Sequence, residues 1–123
     1  MVEMLETANI LRKATSKSFV IIDELGRGTA PTEGSAIAFA CLTHLYKVNK
    51  SRTLFATHFH DVADWTLPYK KVGYYCTDVQ EHKDGGFTYV HKLRKGVNSN
   101  SHALIVARLA GEYSNMLTYL CIS

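Results

Sequence analysis

Apolar residues recur at helical spacing from the start of the chain. Met1, Met4, Leu5, Ala8 and Leu11 fall on one face, with Glu3, Glu6 and Arg12 elsewhere on the wheel. The spacing predicts an amphipathic helix to about Ala14 whose stripe faces a core. Phe19-Val20-Ile21-Ile22 then forms an unbroken apolar run that ends in Asp23-Glu24. Such a run, mostly β-branched, predicts a central, parallel strand covered on both faces. Gly26-Arg27-Gly28-Thr29 reads as a loop. Pro31 precedes a second helix, predicted over about Thr32 to Val48, with Thr32 as its N-cap, Glu33 in its first turn and Ile37, Ala38, Cys41, Leu42 and Leu45 on its apolar face. Arg52–Ala56 predicts a second short strand that ends in Thr57-His58, followed by a short helix near Asp61–Trp65. Val72–Val79 and Phe87–Leu93 read as two strands joined by the turn Asp84-Gly85-Gly86. After a polar loop at Gly96–Asn100, Ser101 can cap a last helix bearing Ala103, Leu104, Val106, Ala107 and Leu109 and ending at Gly111.

The alternation of strands and helices over the first 66 residues implies right-handed βαβ connectivity and an α/β fold with a mostly parallel sheet, flanking helices, and a C-terminal hairpin and helix. The composition agrees with an ordinary globular chain: 123 residues, 46% hydrophobic and 20% charged. It excludes a disordered tail, and no apolar run approaches the roughly 20 residues that span a bilayer. The net charge of +3 divides into four basic and five acidic groups over residues 1–46 and ten and six over residues 47–123. That excess is too scattered for a dedicated nucleic-acid face. Cys41, Cys76 and Cys121 form no close-spaced pair, and the acidic Glu3 and Glu6 stand where a signal peptide is basic, so reduced thiols and an intracellular home are expected.

The strand that ends in Asp23-Glu24 is the strongest chemical signal. Carboxylates are seldom set at the end of a buried strand without a partner, and the carboxyl ends of strands in open α/β sheets form the ligand crevice. Adjacent strand residues point opposite ways, so the two acids can divide labour. Asp23 can hold a hydrated Mg²⁺, which prefers oxygen ligands. Glu24 can orient or deprotonate an attacking water. Two solvated acids at a strand end is the plainer alternative. His58 ends the next parallel strand, so it opens onto the same sheet edge, where a neutral imidazole can bond a water or a phosphate oxygen; a structural histidine is the alternative there. His58 and His60 as zinc ligands lack a nearby third. Gly26 and Gly28 permit positive φ, and Arg27 between them can pair with a carboxylate or phosphate. No Gly-x-x-x-x-Gly-Lys-Ser/Thr occurs, so the backbone cradle that grips nucleotide phosphates is missing from these residues.

These residues resemble the ATPase domain of MutS-type DNA mismatch-repair proteins. The likeness is carried by Met1–Leu11 (MVEMLETANIL), Phe19–Thr29 (FVIIDELGRGT), Leu54–His58 (LFATH) and Ser101–Gly111 (SHALIVARLAG), and it covers residues 1–111. Within the family, Lys95–His102, Val48-Asn49 and Tyr74–Thr77 most resemble fungal mitochondrial homologues, which implies a mitochondrial location, with a nuclear one as the alternative. The resemblance implies part of a P-loop, ABC-type ATPase that dimerises, as a homodimer or with a MutS-type partner subunit, around ATP and Mg²⁺. It implies Asp23 as the Walker B acid that holds Mg²⁺ through water, Glu24 as the general base, Gly26, Arg27, Gly28 and Thr29 as the nucleotide-side loop that crosses to the partner, and His58 as the switch histidine near the γ-phosphate. It further implies a parent that binds mispaired double-stranded DNA through other domains and uses ATP to change conformation, with no membrane.

Departures from the family pattern accompany the match. The Walker A strand and loop and a Ser-Thr-Phe before Met1 are absent, Glu33 stands where most members have Asp, and residues 112–123 match nothing beyond the usual domain end. The chain is therefore expected to be the C-terminal portion of the ATPase domain over 1–111 with a divergent tail, a fragment or truncated gene product that is inactive alone. A catalytically silent interaction module is the alternative. A carboxylate-based Mg²⁺ hydrolase unrelated to nucleotides needs a further acid, for which Asp61 is the available residue.

Overall fold

The computed structural model describes residues 2–82 and 87–98, and the chain divides into two units, Met1–Val72 and Gly73–Ser123. The first unit runs α1 (Val2–Lys13), β1 (Phe19–Asp23), α2 (Pro31–His44), a π-helical turn (Leu45–Asn49), β2 (Arg52–Ala56) and α3 (His60–Thr66). β1 and β2 pair in parallel, with Phe19 opposite Arg52 and Asp23 opposite Ala56. The predicted βαβ crossover is therefore present, as a short two-stranded parallel sheet.

The core gathers on one face of that sheet. Val20, Ile22, Leu25, Cys41 and Leu45 are buried together, and Met4, Ile10, Leu11, Ala14, Ile37 and Phe55 pack around them. Helices α1 and α2 thus both cover the face that carries Val20, Ile22 and Phe55. The opposite face stays open: Phe19 is 62% exposed, Ile21 64% and Leu54 59%. This corrects the expectation of a central strand covered on both sides. An unbroken apolar run does not say on which side its helices will sit.

The buried stripe of α1 also differs from the predicted one. Leu5 is exposed, and Thr7 takes a place in the core with its hydroxyl donating to Glu3 O at 2.8 Å. That bond back to the preceding turn satisfies the hydroxyl within the helix, so a polar residue can be buried there. Helix α2 starts at Pro31, with Ala30 in the N-cap position and no side-chain cap bond, so Thr32 is not the cap. Pro fits the first helical position because its missing N–H has no intrahelical partner to lose. Lys50, at φ 54°, ends the π turn in the left-handed region. Beside it, Asn49 Nδ2 donates to Leu11 O and Ala14 O at 2.9 and 2.8 Å, capping the last carbonyls of α1. Tyr69 stacks on Tyr46 at 4.7 Å between ring centres, and its hydroxyl lies 3.1 Å from Thr43 Oγ1.

In the second unit β3 (Tyr75–Glu81) and β4 (Phe87–Lys95) pair antiparallel, with a register shift between Thr77 and Val79. This is the predicted hairpin pair. Its turn at Asp84–Gly86, the predicted helix Ser101–Gly111 and the tail 112–123 lie outside the described residues. Among the described residues no helix is long and apolar enough to cross a membrane.

Candidate functional site

Parallel pairing sets the site. β1 and β2 end side by side at Asp23 and Ala56, and the residues that continue each strand emerge at the same sheet end. Glu24 N–H donates to Ala56 O at 2.9 Å, which holds the base of Glu24 against β2. Glu24 then turns the chain with φ 47°, a left-handed conformation uncommon for a residue with a Cβ. The turn closes when Arg27 N–H donates to Glu24 O at 3.1 Å. One carboxylate oxygen of Glu24 lies 2.6 Å from the Arg27 guanidinium, and the other lies 3.7 Å from His58 Nδ1. The second contact becomes an ion pair when the imidazole is protonated. His58 in turn lies against Phe59, 4.3 Å between ring centres.

The glycines serve the backbone in two different ways. Gly26 (φ 88°) and Gly28 (φ 95°) both lie in the left-handed region. A Cβ on Gly28 would meet nothing within 4 Å, so conformation alone selects glycine there. A Cβ on Gly26 would lie 2.9 Å from Gly34 Cα and O, so close approach to α2 adds to the requirement. Thr29 fastens the loop from its far side, its hydroxyl donating to Gly26 O at 3.1 Å.

A cavity of about 350 Å³ opens beside this loop. Gly26–Thr29 line one wall, Pro31 and Thr32 at the start of α2 the next, and His58, Phe59, His60 and Asp61 the third. The structure therefore brings Glu24, Arg27 and His58 into contact and puts Gly26–Thr29 and His58 on one opening. Neither Glu24 nor Asp23 lines it. Asp23 is exposed at the end of β1, in step with Phe19 and Ile21 on the open face.

The chain matches the family model described as MutS domain V over residues 1–119. It belongs to the MutS domain V family. Similar curated proteins include the DNA mismatch repair protein MutS of Anaplasma phagocytophilum (strain HZ), 45% identical over 111 residues, covering 90% of this chain and 13% of that protein. The same-named proteins of Ehrlichia ruminantium (strain Gardel) and Sorangium cellulosum (strain So ce56) are 41% and 46% identical over 111 residues, with 90% of this chain covered and 14% and 12% of theirs. The chain thus spans about an eighth of the length of these relatives, 12–14%.

Every site residue lies inside the MutS domain V match, which runs past Gly111 to residue 119. The donor set suits a hard cation held through water. Asp23 offers exposed carboxylate oxygens that make no ion pair among the described residues. Among the described residues no three His, Cys, Asp or Glu side chains cluster as a protein-only metal cage does, His58 and His60 included. Three contributors to the site escape sequence reading. Glu3 accepts a hydrogen bond from Gly26 N–H at 3.2 Å, and Gly34 and Phe59 wedge against the loop. No local pattern announces them, because each acts on residues distant in sequence.

Proposed function

We propose that this chain is the portion of a MutS-type, P-loop ATPase domain that activates water and senses the γ-phosphate, and that ATP with Mg²⁺ is what its rim handles. The reading rests on the meeting of Glu24 and His58 at the ends of two parallel strands, 3.7 Å apart, beside a glycine loop with two left-handed residues. Asp23 would hold a hydrated Mg²⁺ as the Walker B acid. The bound ion would neutralise charge on the phosphates. Glu24, with one oxygen held by Arg27 and the other free toward His58, orients the attacking water and accepts its proton. His58 donates a hydrogen bond to a phosphate oxygen. Gly26–Thr29 expose backbone and Arg27 toward a second ATPase subunit, an identical one or a MutS-type partner. The parent protein binds mispaired double-stranded DNA and switches conformation with ATP. The likeness of Lys95–His102, Val48-Asn49 and Tyr74–Thr77 to fungal mitochondrial homologues supports a mitochondrial location, with a nuclear one as the alternative.

A chimera tests this reading. Residues 1–111 replace the matching segment of the Anaplasma phagocytophilum relative, and steady-state ATP turnover is measured. The reading expects turnover, with Glu24→Gln and His58→Ala each lowering it and Asp23→Asn weakening its dependence on Mg²⁺. A folded but inert chimera refutes it.

A further inference from the structure

Gly26 is engaged at every group it has. A Cβ added to it would lie 2.9 Å from Gly34 Cα, and its carbonyl accepts from Thr29 N–H at 3.4 Å and Thr29 Oγ1 at 3.1 Å. Its N–H donates to Glu3 Oε1 at 3.2 Å, a contact that crosses 23 residues of chain. Glu3 is fixed in turn, because it lies in the first turn of α1 and its own carbonyl accepts from the buried Thr7 hydroxyl. Gly26 stands between Glu24 and Arg27, the two residues that share the 2.6 Å ion pair, so whatever holds Gly26 holds that turn.

We propose that Glu3 is a positioning residue for Glu24, tethering the Glu24–Arg27 turn to α1 so that displacement of the first turn of α1 displaces the candidate base. The consequence for ATP rests on the function proposed above; the tether does not. An acid in the first turn of a helix has a plainer role, favourable interaction with the helix dipole, and the two roles rank substitutions differently. The tether needs an acceptor at the right reach: Glu3→Gln keeps it, while Glu3→Asp withdraws it by one methylene and Glu3→Ala removes it. The dipole needs only charge, so Glu3→Asp keeps it and Glu3→Gln loses it.

Amide hydrogen exchange on the ¹⁵N-labelled chain reads the difference. The proposal expects Gly26 and Arg27 amides in Glu3→Gln to exchange within about threefold of the parent, and in Glu3→Asp and Glu3→Ala about tenfold faster, the scale of one lost hydrogen bond. Amides around Cys41 and Leu45 should stay unchanged in all three, which separates loss of the tether from loss of the fold. In the chimera, Glu3→Ala should lower kcat about tenfold at unchanged KM, as misplacement of a base does, and Glu3→Gln should restore it. Protection in Glu3→Asp but not in Glu3→Gln, Gly26 protection unaltered in Glu3→Ala, or equal loss throughout the unit overturns the proposal. A chimera inert toward ATP sinks the proposed function while the exchange ranking still decides the tether. An active chimera with the wrong ranking sinks the tether alone.

Discussion

Gly34→Ala places one methyl group where three atoms already stand. Built on the backbone of α2, its Cβ lies 2.5 Å from Phe59 Cζ, 2.8 Å from Gly26 O and 3.1 Å from Thr29 Oγ1. In an exposed helix the same change stabilises by about 1 kcal/mol, because alanine has the better helix propensity. Here the methyl overpacks a closed contact, which costs about 1–3 kcal/mol. The Phe59 ring can swing, although doing so disturbs its contact with His58. The Gly26 carbonyl cannot retreat without moving the loop between Glu24 and Thr29. The overpacking should therefore win, for a net loss of up to about 2 kcal/mol, or a fall in Tm of about 4–8 °C per kcal/mol for a domain of this size. Trp65, the single tryptophan, lies edge-on to Phe39 at 5.3 Å and reports unfolding of the first unit by fluorescence. On a Phe59→Ala background the loss should shrink but not vanish, since the clash with backbone remains. A Gly34→Ala chain stabilised by the full propensity gain refutes the packing argument, and complete rescue by Phe59→Ala shows that the loop backbone was not the obstacle.

Asn49 should be more sensitive to charge than to truncation. Asn49→Ala loses two donors to α1 carbonyls and should cost about 1–2 kcal/mol in denaturant unfolding, whereas Asn49→Asp turns a carboxylate on the same carbonyls and should cost more. The open face bearing Phe19, Ile21 and Leu54, on a sheet that has two strands among the described residues, should drive self-association. Leu54→Lys should lower the sedimenting mass without loss of helical circular dichroism. Burial pushes the Cys41 thiol pKa up, so its contribution to stability is whole below the thiol's unfolded value and is lost as pH rises through the raised folded value. Stability measured from neutral to alkaline pH should accordingly fall more steeply in the parent than in Cys41→Ala.

The order of elements was legible because period and punctuation agreed at each point. Helical spacing ended near Ala14, a β-branched run ended in two acids, and Pro31 opened the next helix. The shared strand end of Glu24 and His58 was legible for the same reason, since parallel pairing follows from the crossover and decides where both strands finish. The open face was not, because Phe19 and Ile21 are as apolar as their buried neighbours Val20 and Ile22, and only the placement of both helices on one side separates them. Thr7 in the core was hidden by its polarity, which a bond within its own helix cancels. The Glu3 tether and the Gly34 wedge were hidden by distance, as the fold alone brings α1 and α2 to the loop at Gly26.

Single-turnover hydrolysis by the chimera tests the central claim most directly, because it separates chemistry at Glu24 from nucleotide binding and product release. With the chimera in excess over ATP–Mg²⁺, Glu24→Gln should bind nucleotide as the parent does and hydrolyse it about 10²–10⁴ times more slowly, the usual worth of a general base. Equal hydrolysis rates in the two proteins, at equal occupancy, would contradict the assignment of Glu24 and the reading of the rim with it.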